Sequence, residues 1–151
     1  MKLITMFGVL LIIASCSADG TRNAAKTNTT VKAPIAQALC FLSTAGNNSR
    51  DSTSIELVIK NNKITGQMNW LPYQKDSRKG TLTGTINNDT INAIWTFMQE
   101  GVKDTLALNF KIDNSHLLQK PLKLNPQTGR EQTDASAGYT LSYATNDKIY
   151  K

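Results

Sequence analysis

From Ala38 onward, apolar and polar residues alternate along most of the chain. Side chains of a strand point to opposite faces in turn, so a period of two reads as a half-buried strand. Ala38 to Leu42 opens the series with an apolar run. Ile55, Leu57 and Ile59 then alternate with Glu56, Val58 and Lys60. Ile64, Gly66, Met68 and Trp70 alternate with Thr65, Gln67 and Asn69. Leu82, Gly84 and Ile86 alternate with Thr81, Thr83 and Thr85. Ile91, Ala93, Trp95 and Phe97 alternate with Asn92, Ile94, Thr96 and Met98, and Leu106, Leu108, Phe110 and Ile112 form the next apolar face. Further strands are expected near His116 to Leu124 and from about Tyr139 to Ala144, with Lys148 to Lys151 extending the final pairing.

The segments between these runs are short and rich in turn formers. Asn61-Asn62 suits the positive φ angles of a type I′ hairpin. Asn87-Asn88-Asp89, Glu100-Gly101 and Asp113-Asn114 mark further turns. About eight antiparallel strands joined this way make an all-β, up-and-down meander, and closure into a small β-barrel removes exposed edges. An open β-sandwich is the alternative. Gly66 and Gly84, inside strands, suit the bends that closure requires. Asn125 to Gly138, with Pro126 and Gly129, is expected to be a long loop near a barrel end. Such loops are functional or disordered.

The chain before Ala38 has a different character. Lys2, an apolar run from Leu3 and the small residues Ala14-Ser15 lay out a secretory signal peptide. The run is too short to span a bilayer as a helix, which needs about 20 apolar residues. Ile13-Ala14-Ser15-Cys16 resembles the lipobox of bacterial lipoproteins. The resemblance implies cleavage before Cys16, lipidation of its sulfur, and attachment to the membrane through that anchor. Ser17, next in the chain, is the type of residue that favours outer-membrane sorting in such proteins. Ser, Thr, Asn, Ala and Lys dominate from Ser17 to Gln37 with no apolar period, so that stretch cannot bury enough surface to offset its ordering entropy. The expected organisation is a signal peptide over 1–15, a lipidated flexible tether over 16–37 and a β-barrel domain over 38–151.

Charge and cysteine content narrow the picture. The formal net charge is +6, and loss of Lys2 with the signal lowers it by one. So mild and evenly spread an excess is ordinary solubilising charge. An exported location argues against nucleic acid as a partner. With Cys16 lipidated, Cys40 stands alone among the two cysteines, which excludes an intramolecular disulfide. It lies in an apolar run and reads as a buried inert thiol.

The stretch from Ile64 to Gly101 carries a second pattern. It consists of a Gly-x-apolar-x-aromatic strand (Gly66, Met68, Trp70), then Tyr73 and a Lys75-Asp76 loop ending at Gly80. Gly84, Asp89-Thr90, and an aromatic strand with Trp95 and Phe97 ending in Glu100-Gly101 complete it. About a quarter of the chain thus resembles a group of small Bacteroidota lipoproteins with a calycin-like β-barrel. The resemblance implies a fold and an envelope location, outer membrane with a periplasmic or surface-facing domain. It implies no mechanism.

No catalytic constellation stands out. His116 is the one histidine, without a nucleophile motif beside it. One histidine and one free cysteine do not make a zinc site. Asp76 and Glu100 lie at turns, where acids commonly bond backbone. The chain therefore reads as a non-enzyme with no cofactor and no metal. Its most distinctive side chains are aromatic. An eight-stranded barrel has an interior just wide enough to be packed or to hold one small ligand. Met68, Trp70, Tyr73, Trp95 and Phe97 are the candidate apolar lining, and Lys75, Asp76 and Glu100 the candidate polar rim. The leading expectation is non-catalytic binding of a small apolar or amphipathic molecule or of an envelope component. The alternative is a protein-interaction module, such as a hydrolase inhibitor or an envelope-assembly partner.

Overall fold

A computed structural model describes residues 36–146. The signal peptide, the lipobox with Cys16, nearly all of the tether and the expected pairing of Lys148 to Lys151 lie outside the described residues. Ten strands follow in order: β1 (Gln37–Ala45), β2 (Asp51–Lys60), β3 (Lys63–Leu71), β4 (Arg78–Asn87), β5 (Thr90–Gln99), β6 (Val102–Asp113), β7 (His116–Gln119), β8 (Leu122–Leu124), β9 (Glu131–Thr133) and β10 (Leu141–Thr145). Eight of them close an antiparallel barrel in the order β1-β10-β7-β6-β5-β4-β3-β2. Each strand from β2 to β7 pairs with its predecessor, and β10 closes the ring between β7 and β1. The architecture is the up-and-down barrel that the alternation predicts, not the open sandwich.

The register puts one parity of every strand inside. Phe41 pairs with Ile55, Ile55 with Met68, and Leu82 with Trp95, which in turn faces Leu106. Phe41, Ile55, Leu57, Ile64, Leu82, Ile91, Leu108, Phe110 and Leu117 are all buried in the interior. Each such side chain contributes about 1.5–3 kcal/mol of hydrophobic stabilisation. The opposite parity is polar and wet: Thr65 and Gln67 on β3, and Lys79, Thr81, Thr83 and Thr85 on β4, are exposed. This order reverses that of a transmembrane barrel, whose lipid-facing surface is apolar. Cys40 is buried, and among the described residues it is a free thiol.

The two ends of the barrel are built differently. One end is closed by three two-residue hairpins, Asn61-Asn62, Asn88-Asp89 and Asn114-Ser115. The first residue of each takes a left-handed φ of 50–55°. Asn tolerates this because its short amide bonds locally. The second carbonyl of each turn accepts from a neighbouring strand: Asn62 from the Ile86 amide, Asp89 from Ile112 and Ser115 from Thr145. The turn at Asn61-Asn62 departs from the expected type I′ geometry, because only Asn61 has positive φ. Glu100-Gly101 meets the I′ requirement in full, with φ of 49° and 78°.

The other end carries the longer connections and forms a mouth. A 3-10 turn over Asn47–Ser49 joins β1 to β2. Residues 72–77 join β3 to β4, and the Tyr73 amide donates to Asp51 Oδ1 at 2.6 Å, tying the two loops together. Here the structure corrects two expectations. The single strand near His116 to Leu124 is two strands, because Pro121 lacks an N–H and ends the ladder after the Lys120 amide has bonded the Asn109 carbonyl. The expected loop over Asn125 to Gly138 is largely a hairpin. β8 and β9 pair Leu122 with Thr133 and Leu124 with Glu131. Between them Asn125 Oδ1 accepts from the amides of Gln127 and Thr128, and Gly129 takes a φ of 67°. The polar residues that read as loop are the chemistry of this one turn.

Candidate functional site

β7 is short, and its brevity shapes the mouth. It pairs with β6 only over Phe110 to Asp113, so Val102 to Asn109 have no barrel strand on that side. The β8–β9 hairpin covers the gap. Thr133 Oγ1 donates to the Ala107 carbonyl at 2.7 Å, and Arg130 pairs with Asp104. The Thr105 amide and the Arg130 guanidinium hold the Asp104 carboxyl below its usual range. At the hairpin base, the Lys123 ammonium and the Ser136 hydroxyl bring Asp134 down to about 2.

Beneath this cover the barrel is not filled. A cavity of about 330 Å³ opens at the mouth. Met68, Trp70, Trp95, Tyr143, Leu122 and Leu141 give it a mainly apolar surface, and Ser43, Thr53, Gln119, Arg78 and Glu131 supply its polar groups. Its volume is at the lower end of the range for small-ligand pockets, about 300–1,000 Å³. Trp95 is buried and its indole N–H donates to the Met68 carbonyl at 3.1 Å, so it offers the cavity a ring face and no donor. Its ring also stacks at a tilt on Phe97, with centroids 4.4 Å apart.

Arg78 is the cation of this lining. The first residue of β4, it shares the inward parity of Gly80, Leu82 and Gly84. Its guanidinium lies 5.2 Å from the centroids of both Trp70 and Phe97. Nε donates to Gln99 Oε1 at 2.7 Å, and one terminal nitrogen pairs with Glu131 of β9. Glu131 thereby anchors the hairpin to the barrel wall. Gln119, the last residue of β7, is 2% exposed. Its Oε1 accepts from the Tyr143 hydroxyl at 2.8 Å. Burial pushes the Tyr143 phenol up to about 12, so that hydroxyl remains a donor throughout the neutral range.

The structure thus brings Met68, Trp70 and Trp95 together around one cavity and places the other sequence candidates elsewhere. Phe97 and Glu100 border a separate cleft of about 340 Å³ on the far side of the Arg78–Glu131 pair, with Val102, Asp104 and Arg130. Tyr73 and Lys75 line a shallow depression with Asn47, Arg50 and Asp51, where Arg50 stacks on the Tyr73 ring at 4.5 Å. Asp76 is exposed and borders none of these three hollows. Tyr73, Lys75 and Asp76 sit in the 72–77 connection, beyond the last residue of β3, where strand parity no longer aims side chains inward. Lys75 and Asp76 are therefore not a rim of the Trp70/Trp95 cavity, and neither is Glu100.

Sequence reasoning missed Arg78, Gln119 and Glu131. For the first two a signal exists. Arg78 stands in phase with Leu82, and Gln119 with Leu117, so each is a polar residue on an apolar parity. Glu131 has no such signal, because nothing periodic places it. His116 is exposed at the opposite end of the barrel from the cavity. Among the described residues no group of three His, Cys, Asp or Glu side chains could hold a metal ion.

The geometry defines a closed antiparallel barrel with one apolar, partly covered pocket at its mouth. No family model, no curated protein and no solved structure matches the chain.

Proposed function

We propose that this protein is an envelope lipoprotein, anchored through Cys16, whose barrel mouth binds a small apolar or amphipathic molecule without transforming it. The observation that carries the binding reading is the cavity itself. A barrel of eight strands has enough side-chain volume to fill its interior. Here the half toward the Asn hairpins is filled, and the half toward the mouth keeps about 330 Å³ between Met68, Trp70, Trp95 and Tyr143. Aromatic walls with a few polar groups are the usual make-up of a ligand pocket. The anchor reading rests on the Lys2 to Cys16 layout and on the polar exterior of the barrel, which would leave membrane attachment to the lipid.

The chain has two tryptophans, and both line this cavity. Tryptophan emission, excited beyond the tyrosine absorption band, therefore reports on the pocket. The full chain would be held in phosphatidylcholine nanodiscs and titrated with 1-octanol, with empty nanodiscs subtracted. A saturable emission change is expected. Ser43→Phe, which fills the cavity from β1, is expected to abolish it while leaving the thermal melt intact. A linear, non-saturating response in the unaltered protein would refute the pocket reading, as would an undiminished response in Ser43→Phe.

A further inference from the structure

We propose that the cavity selects amphiphiles with a carboxylate head, and that this head docks on Arg78 in exchange for Glu131. The inference rests on the pocket reading above and names the class of ligand.

The unmet hydrogen-bonding capacity of the cavity is on the donor side. Arg78 has five N–H groups. Two have protein partners, Gln99 Oε1 and Glu131, and the guanidinium borders the cavity. Gln119 is the second donor. It is almost wholly buried, its oxygen is taken by Tyr143, and among the described residues no side chain or carbonyl accepts from its amide nitrogen. This nitrogen is not sealed inside protein, so its partner, water or a ligand atom, comes from the cavity side. The cavity's other donors, the hydroxyls of Ser43, Thr53 and Ser142, can serve either way. The one charged acceptor, Glu131, has one oxygen on Arg78, and its 40% exposed side chain is served by water. A ligand that completes this site brings an acceptor.

Charge and shape narrow the head to a carboxylate. Arg78 and Glu131 are the charged residues of the lining. A planar carboxylate matches the guanidinium fork in two parallel bonds. A phosphate dianion would bring a second charge that no other cation of the lining balances. Glu131 is a suitable leaving partner. Its side chain is 40% exposed against 19% for Arg78, so release returns it to water while Arg78 stays inside. Trp70 and Phe97 flank the guanidinium and keep it aimed when Glu131 departs. The exchange leaves Arg78 with one carboxylate partner, as before. It also frees β9 from β4, so occupancy and the position of the hairpin are coupled.

The test compares octanoate with 1-octanol in the nanodisc titration at pH 7.5, where the acid is ionised. Each variant is scored by the ratio of the two affinities, in which partitioning into lipid cancels between proteins. Arg78→Gln is expected to shift that ratio against octanoate by about tenfold or more, the scale of a charge-assisted hydrogen bond. Glu131→Gln, an isosteric change at an exposed position, is expected to shift it toward octanoate, because the competing carboxylate is gone. It also keeps the test decisive should Arg78→Gln fail to fold. An unchanged ratio in both variants overturns the proposal and leaves the pocket reading standing. A shift away from octanoate in Glu131→Gln overturns it too. Failure of both amphiphiles to bind refutes the pocket reading, and the carboxylate proposal with it.

Discussion

Gly84 lies inside β4 with Ile64 of β3 on one side and Ala93 of β5 on the other. The strands coil so tightly there that a Cβ at this position would sit 2.1 Å from the Asn92 carbonyl oxygen and 2.7 Å from Ala93 Cα. Heavy atoms pack at about 3.5–4.0 Å. Gly84→Ala must therefore move hydrogen-bonded backbone by about 1 Å, and no flexible side chain can absorb the shift. Overpacking of a core costs about 1–3 kcal/mol, and a clash against backbone belongs at the upper end. The reduced freedom of the unfolded chain returns about 0.4–1 kcal/mol. The net loss is about 2–3 kcal/mol. For a domain of this size, between the two ranges given for smaller and larger ones, that lowers Tm by about 8–12 °C. Far-UV circular dichroism melts of the full chain measure it. Gly138→Ala is the matched control, since nothing lies within 4 Å of its Cβ position. Its melt is expected to rise by about 2–4 °C, from the unfolded-chain effect alone. If Gly84→Ala melts with the control, close backbone approach is not what keeps glycine inside this strand.

Two further outcomes are expected. The phenol of Tyr143 stands at about 12 in the folded protein against 10.0 when free. A group whose folded pKa is raised contributes its stability in full below the unfolded value and loses it as pH rises through the folded one. About 2–3 kcal/mol should therefore be lost between pH 10 and 12. Tyr143→Phe should flatten that part of the pH–melting curve, and an unchanged slope would refute the assignment. Cys16→Ser should release the protein from membranes or leave it unprocessed, as fractionation with a lipid-label mass shift would show. A fully cleaved Cys16→Ser chain that still sediments with membranes would contradict the lipid anchor.

Most of the barrel was legible because parity in a strand is a hard geometric constraint. Once Ile55, Leu57 and Ile59 share a face, Glu56 and Lys60 cannot join them. The same constraint places Met68, Trp70 and Trp95 on the inward face of their strands. It says nothing about residues past a strand's end, and that is where Tyr73, Lys75 and Asp76 lie. Two signals were present and unread. Pro121 interrupts what looks like one strand from His116 to Leu124. Asn125-Pro126 followed by Gly129 is the punctuation of a tight turn, so the polar stretch was a hairpin in disguise. The pairing of Glu131 with Arg78 spans 53 residues. No local pattern encodes a contact of that range, which depends on where the whole hairpin lands.

The short β7 connects these features. Had the chain continued as a strand past Lys120, its inward side chains would have packed against Leu108 and Leu106 and filled the mouth as the other half of the barrel is filled. Pro121 ends the ladder instead, and the chain leaves the wall. The upper edge of β6 would then be an open edge, a template for unwanted pairing. β9 lies against it, but not as a ladder partner: the Thr133 hydroxyl on the Ala107 carbonyl and the Arg130–Asp104 ion pair take the place of strand hydrogen bonds. Side-chain bonds of this kind break one at a time, whereas a ladder opens cooperatively. Exposed ion pairs of this kind contribute little each. One structural choice, a proline after four residues of strand, thus leaves the barrel with an unfilled mouth, a cover held by separable contacts, and an inward arginine whose counter-ion belongs to that cover.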